Sequence, residues 1–280
     1  MLKPILVRSP GGRSGTSLMM EMLSSSKDIA FDRRHPYEVR MLSYFYRLSN
    51  VMFSDKFEGW SNDIVVRGDL NKVGRIPANT SLIEEPISFI EEHFHSSWEV
   101  FSRSAIEAHK KVFGVLPRFY AEKVPHDILP RASAILDCRV VYLTRDPRGE
   151  FSSILSFNQK RGTDLFGWKV TDTIDTFLTR FINLRKAYFR MISKLEDDSG
   201  NLIVSYEDMI LNSEGTCKKI GVFLNSEIST AVVEKNLEKN SIHMTSDSPS
   251  SSINKWKSHL GSDVIERINN ELMPYAKGYV

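Results

Sequence analysis

The chain opens with a short continuous apolar run, Ile5-Leu6-Val7, that breaks at once into a polar, glycine-rich stretch from Ser9 to Ser17. Leu18, Met19, Met22 and Leu23 then recur at helical spacing. An unbroken apolar run suits a strand buried on both faces, so the pattern predicts strand, tight turn and helix in immediate succession. Lys27 to Phe31 reads as a short strand. A helix is expected from near Pro36, with Val39, Leu42, Phe45 and Tyr46 on one face. Residues 54–82 are polar and turn-rich and read as loops or a small excursion, in which Trp60 is a lid aromatic or a surface anchor. Residues 84–113 read as helix in two pieces. Phe119 to Lys123 and Arg139 to Leu143 read as strands, and Asp146 with Pro147 as the cap and first turn of a helix. A long amphipathic helix is expected over 171–197, with Ile174, Phe177, Leu178, Phe181, Ile182 and Leu184. Asn201 to Ser205 is the last expected strand. Two helices, a polar loop from Ser246 to Lys257 and a closing helix from Ser262 to about Leu272 follow.

Strands alternating with helices imply a parallel sheet covered on both faces. The expected fold is therefore α/β: a P-loop-like three-layer α/β/α arrangement around a mostly parallel sheet of about five strands. No repeat, low-complexity block or linker divides the chain, so residues 1–280 read as a single domain.

Composition narrows the classes. A length of 280 residues with 41% hydrophobic content allows a substantial core. The formal net charge is only +2, so global charge supports no nucleic-acid or membrane partner, and any anion site has to be built locally. No apolar stretch reaches bilayer length, and the N-terminus has no signal-peptide pattern. Cys138 and Cys217 make neither a disulfide framework nor a metal-ligand spacing. The expectation is a cytoplasmic protein without an integral membrane segment. His93 and His95 follow Glu91 and Glu92 and invite a metal reading, but residues two apart on a helix do not share a face.

The chemistry starts in the glycine-rich stretch. Glycine lets backbone approach a ligand, and the free N–H groups of a first helical turn favour an anion. Ser14, Thr16 and Ser17 offer hydroxyl donors, and Arg13 a fixed positive fork. A nucleoside-triphosphate loop reads G-x-x-x-x-G-K-[ST]. Here Thr16 follows Gly15 and no lysine lies in the loop, which suits a single 5′-phosphate better than a triphosphate with its metal. Ligands of open parallel sheets collect at the carboxyl ends of strands. Arg145 stands at such an end, and Ser153 lies about two helical turns further on, so the two can converge on one phosphate.

The order Arg13-Ser14-Gly15-Thr16-Ser17 after a strand resembles the 5′-phosphosulfate loop of sulfotransferases that use PAPS (3′-phosphoadenosine 5′-phosphosulfate), in the arginine type of the glycan, tyrosylprotein and bacterial branches. VVYLTRDPRGEFSSILSF is similar to that family's 3′-phosphate segment, which implies that Arg145 and Ser153 hold this phosphate. VSYEDMILNSEGTCKKIGVFLN resembles its [FY]-E-D-[ML] segment and places Tyr206 near the adenine and 3′-phosphate side. NKWKSHL resembles G-D-W-K-x-H-[FL] and brings in Trp256 and Lys257. The family's preceding Arg-Lys-Gly clamp falls here on Pro249, Ser250 and Ser251, leaving serine hydroxyls and Lys255 or Lys257 to replace it. The implied cofactor site comprises Gly12, Arg13, Ser14, Gly15, Thr16, Ser17, Arg145, Ser153, Tyr206, Ser251, Trp256 and Lys257.

The resemblance implies in-line transfer of a sulfuryl group from PAPS to a hydroxyl acceptor, leaving adenosine 3′,5′-bisphosphate and demanding no metal. Arg13 would act on the leaving phosphate, with Lys123 supporting it or steadying the sulfuryl oxygens. Glu38 stands where the glycan and tyrosylprotein branches place their base, with Arg13 and Arg33 or Arg34 expected to lower its pKa. His126 in KVPHDILP is the rival base; it resembles the K-x-H of the cytosolic enzymes but sits one residue further from its lysine. The expected acceptor is a glycan or small molecule, with a peptide tyrosine open. The competing readings are a P-loop small-molecule kinase using ATP and a nucleotide-binding module without catalysis.

Overall fold

The computed structural model describes residues 1–51, 63–65, 72–75, 83–125, 128–195, 200–230, 249–276 and 278–279. Trp60 and His126 lie outside the described residues. The elements are β1 (Lys3–Arg8), α1 (Thr16–Ser24), β2 (Ile29–Ala30), α2 (Met41–Val51), β3 (Asp63–Val65), β4 (Lys72–Arg75), α3 (Pro86–Phe113) and β5 (Phe119–Lys123). There follow α4 (Leu129–Ile135), β6 (Arg139–Thr144), α5 (Pro147–Arg161), α6 (Ile174–Ile192), β7 (Asn201–Ser205), α7 (Tyr206–Leu211) and α8 (Ser213–Leu224). Three helices near the end of the chain, α9 (Pro249–Asn254), α10 (Trp256–His259) and α11 (Ser262–Glu271), complete the described elements.

Five strands form one parallel sheet in the order β2-β5-β1-β6-β7, as the sequence pattern implies. β1 lies in the middle, so the segment leaving it emerges between the ends of β5 and β6. Successive strand residues point to opposite faces. Leu6, Tyr120, Val140 and Tyr142 enter one core with α2 to α6 and α11. Ile5, Val7, Phe119, Ala121, Val141 and Leu143 enter the other with α1 and α8. An unbroken apolar run in β1 and β6 is thus what two covered faces require.

Several boundaries differ from the pattern's expectation. The helix expected near Pro36 begins at Met41. Tyr37 sits at φ 63°, outside the helical region, and the buried Glu122 carboxylate accepts from the amides of Leu42 (2.8 Å) and Ser43 (3.2 Å) at the true start. The expected two-piece helix over 84–113 is a single one, with Pro86 at its start and Gly114 at φ 73° closing its end. Phe94, Trp98 and Ser102 are buried at four-residue intervals along it, and that spacing keeps them on one side. The turn-rich excursion contains an antiparallel pair, β3 with β4. The polar stretch ending at Lys257 carries α9 and the start of α10. Asp146 caps α5 by accepting from Arg148 N, as its sequence signal indicates. Among the described residues, no helix is long and apolar enough to cross a membrane.

Candidate active site

The loop leaving β1 folds back tightly on its own backbone. Ser9 Oγ donates to the Gly11 carbonyl at 2.9 Å, and Arg13 sits at φ 69°. Gly15 occupies the N-cap of α1 at φ 89°, and α1 has no side-chain cap. A side chain at Gly15 would be strained at this φ and would also place its Cβ 2.6 Å from the Tyr206 ring. With no capping side chain, the amides of the first turn remain available to an anion. Thr16 and Ser17 line the same cleft. Ser14 does not. It is fully buried, with Oγ 3.0 Å from the Gly11 carbonyl and 2.9 Å from Glu150 Oε1, so its one hydroxyl proton is directed into the protein. The expected ligand donor is an internal one.

A second cationic cluster stands beside this loop. Arg145, only 4% exposed at the end of β6, donates from Nη1 to the Arg13 carbonyl at 2.5 Å and lies 4.1 Å over the Tyr206 ring. Tyr206 Oη is 2.8 Å from Ser252 Oγ. Arg13 Nε donates to Ser153 Oγ at 3.1 Å, and its guanidinium lies 5.0 Å over the Phe157 ring. Burial, and then the neighbouring charge of Arg145, bring the Arg13 pKa down to about 10, with Tyr206 opposing. It therefore stays cationic at neutral pH. Arg145 Nε is buried without a hydrogen-bond partner. Arg13 and Arg145 both line the cleft, and two guanidinium groups side by side favour an anion between them.

The structure thus brings Arg13, Arg145, Ser153 and Tyr206 together. It does not bring Ser251, Trp256 or Lys257 to the cleft; the residue that lines it from this segment is Ser252. Ser251 is exposed on α9. The half-buried Trp256 ring packs against the Arg148 guanidinium at 4.2 Å, and Arg148 is itself tied to Asp146. Lys257 is exposed, its ammonium 5.7 Å from the Trp256 ring.

The far end of the cleft carries the candidate base. Lys123 ends β5 with 6% exposure, and its Nζ donates to Glu38 Oε1 (2.8 Å), the Pro36 carbonyl (2.5 Å) and Ser17 Oγ (3.1 Å). Arg40 holds the other oxygen, Glu38 Oε2, at 2.6 Å. Burial pushes the Glu38 pKa up, but Lys123 and then Arg40 outweigh it, so the carboxyl lies below its usual range. The direction agrees with the sequence expectation; the neighbours differ. Arg33 donates instead to the carbonyls of Ser24 and Ile29, and Arg34 pairs with Asp32. Burial pulls the Lys123 pKa down, with Glu38 opposing.

Sequence reasoning missed two features. Glu21 also faces the cleft; burial raises its pKa, with Lys123 and Tyr37 opposing. It lies one helical turn after Ser17, so i,i+4 spacing on α1 was its available signal. Phe166, at φ 58° between α5 and α6, sets its ring edge-on to Phe157 with centroids 5.2 Å apart. The whole cleft encloses about 700 Å³ and runs from Glu38 and Lys123 past the loop to Arg145 and Tyr206. His93, once a metal candidate, has Nδ1 2.8 Å from Ser49 Oγ, and the described residues hold no cluster of metal-ligating side chains.

Comparison with known proteins gives the site a context. Residues 5–273 match the family described as "Sulfotransferase domain". Among curated proteins, sulfotransferase 1B1 of the dog, Canis lupus familiaris, is 23% identical over 159 residues, covering 56% of this chain and 52% of that protein. The match thus spans about half the length of this relative. In structure the chain is similar to the sulfotransferase domain from the curacin biosynthetic pathway, with TM-score 0.53 and 16% identity over 96% of this chain and 97% of that one. It is also similar to retinol dehydratase in complex with androsterone and the inactive cofactor PAP, with TM-score 0.50 and 15% identity over 99% and 82%. At such identities these likenesses show the shared fold.

Proposed function

We propose that this chain, which belongs to the sulfotransferase domain family, moves a sulfuryl group from PAPS to a hydroxyl of a glycan or small-molecule acceptor. Adenosine 3′,5′-bisphosphate would be the other product. The observation that carries the reading is a pair of anion subsites in one cleft. The uncapped start of α1, with Thr16 and Ser17, suits a 5′-phosphate. Arg145, over the Tyr206 ring and lining the cleft with Ser153, suits the 3′-phosphate that sets this cofactor apart from ADP or ATP.

PAPS supplies the activated sulfuryl group; the protein supplies charge, direction and a proton acceptor. Glu38 takes the proton of the acceptor hydroxyl. Being held ionised by Lys123 and Arg40, it is ready at neutral pH, though a lowered pKa makes it a weaker base. Lys123 Nζ, between Glu38 and Ser17, places a cation where the acceptor side meets the loop and can steady the sulfuryl oxygens. Arg13 and the loop amides balance the charge that grows on the leaving phosphate. Residues 1–280 act as a single domain on this reading, supported by the one sheet running from β2 to β7. A cytoplasmic location is part of the same proposal.

The test is incubation with PAPS and a panel of saccharide, phenol and alcohol acceptors, without magnesium, reading sulfated product by mass. The expected outcome is product gaining one sulfuryl group, in step with release of adenosine 3′,5′-bisphosphate. Phosphorylated product from ATP with magnesium, and none from PAPS, would return the case to a kinase.

A further inference from the structure

The underside of the phosphate loop is built as deliberately as its ligand side. Glu150, on the first turn of α5, and Arg185, in the middle of α6, are 1% and 5% exposed. They meet as a two-pronged pair, Arg185 Nη2 to Glu150 Oε1 at 2.7 Å and Nε to Oε2 at 3.1 Å. The carboxylate oxygen Oε1 also faces Ser14 Oγ at 2.9 Å. The guanidinium is pressed so close under Gly11 that a Cβ there would lie 2.3 Å from Nη2. One turn along the same helix, Tyr188 donates to the Leu143 carbonyl at 2.8 Å and lies 3.3 Å from the carbonyl of Arg8, the last residue of β1.

Two buried charges are costly to remove from water, and a packed apolar pair of similar volume often serves stability as well or better. A bidentate pair fixes direction, however, which apolar contacts do not. Here that direction passes through Ser14 to the backbone of the loop. We infer that Arg185, Glu150 and Ser14 are positioning residues: acting through one another, they hold the loop backbone from below in the curvature that aims the amides of Gly15 to Ser17 at an anion. They touch no ligand themselves. A side chain at Gly11 would have to displace this guanidinium. Where the loop's ligand is concerned, the inference rests on the reading given under Proposed function.

Ser14→Ala tests it with little risk to folding, since only one oxygen is lost. Two measurements are needed: amide hydrogen exchange of the ligand-free chain, and calorimetric titration with adenosine 3′,5′-bisphosphate. The inference expects the amides of residues 11–17 to exchange roughly tenfold faster, with β1, the second half of α1 and the melting temperature nearly unchanged. Affinity should fall roughly tenfold. Glu150→Gln, which keeps an acceptor for Ser14, should stay closer to the parent affinity than Glu150→Leu; if the leucine variant fails to fold, Ser14→Ala decides alone. Loop exchange unchanged in Ser14→Ala, or faster everywhere together with a lower melting temperature, would overturn the inference. Loosening of the loop in a chain whose parent binds no bisphosphate would leave the positioning role standing and remove the proposed reaction instead.

Discussion

The two ends of the cleft are built differently. At the end proposed for the nucleotide, Arg145 and Ser153 are buried and bonded to Arg13, while Arg145 is stacked on Tyr206. At the end proposed for the acceptor, Glu38 is about half exposed on the segment before α2, held by Lys123 on one side and Arg40 on the other. A site built into strand ends and helix starts is rigid before its ligand arrives, and so suits recognition of one fixed cofactor. An exposed carboxylate between two cations keeps access for a second substrate and can exchange a proton. On the proposed function, affinity falls to the first end and chemistry to the second.

Removing the base should separate the ends most sharply. Glu38→Gln should lower turnover by about 10²–10⁴ while adenosine 3′,5′-bisphosphate binding stays intact, as read by steady-state kinetics beside calorimetry. His126→Asn should do much less; a dead His126 variant with an active Glu38→Gln would move the base to the other residue. Next in size is Arg145→Ala. Losing a charge-assisted bond of about 1.5–3 kcal/mol should weaken the bisphosphate by roughly 10–100-fold and leave AMP nearly unchanged, with Ser153→Ala smaller in the same sense. Equal losses for both nucleotides would make Arg145 structural.

A pH profile sharpens the acceptor end. Glu38 must be ionised to accept a proton, so activity should fall as pH drops through its pKa. That acidic limb should lie below the usual glutamate range because Lys123 and Arg40 outweigh burial. In Lys123→Met the ion pair is gone and the remaining activity should show the limb at higher pH; a limb that does not move would detach Lys123 from Glu38. The smallest expected effect is at Lys257, where Ala should leave bisphosphate affinity within about twofold, since its ammonium lies against Trp256 outside the cleft.

The same contrast governs what the sequence could show. The loop from Ser9 to Ser17 and the Arg145–Ser153 pair were legible because strand, turn and helix are contiguous, and a helical turn fixes which residues share a face. Glu38 and Lys123 lie 85 residues apart, and only the order β2-β5-β1 brings their segments together. The start of α2 shifted from Pro36 to Met41 for a similar reason, because the carboxylate that caps it comes from Glu122, 80 residues from Leu42. Ser14 was legible as a hydroxyl in a phosphate loop but not in its direction, which Glu150 sets from 136 residues away. Motif position alone placed Trp256 and Lys257 at the ligand; Arg148 claims the indole instead.

The central claim is that one cleft holds two phosphates, with Arg145 reading the second. Calorimetric titration of the unmodified chain with adenosine 3′,5′-bisphosphate and with ADP, side by side without magnesium, tests it most directly. The account predicts binding at least tenfold tighter for the 3′-phosphorylated nucleotide, a difference that Arg145→Ala abolishes. Equal affinity for the two nucleotides, or tighter binding of ADP, would contradict it.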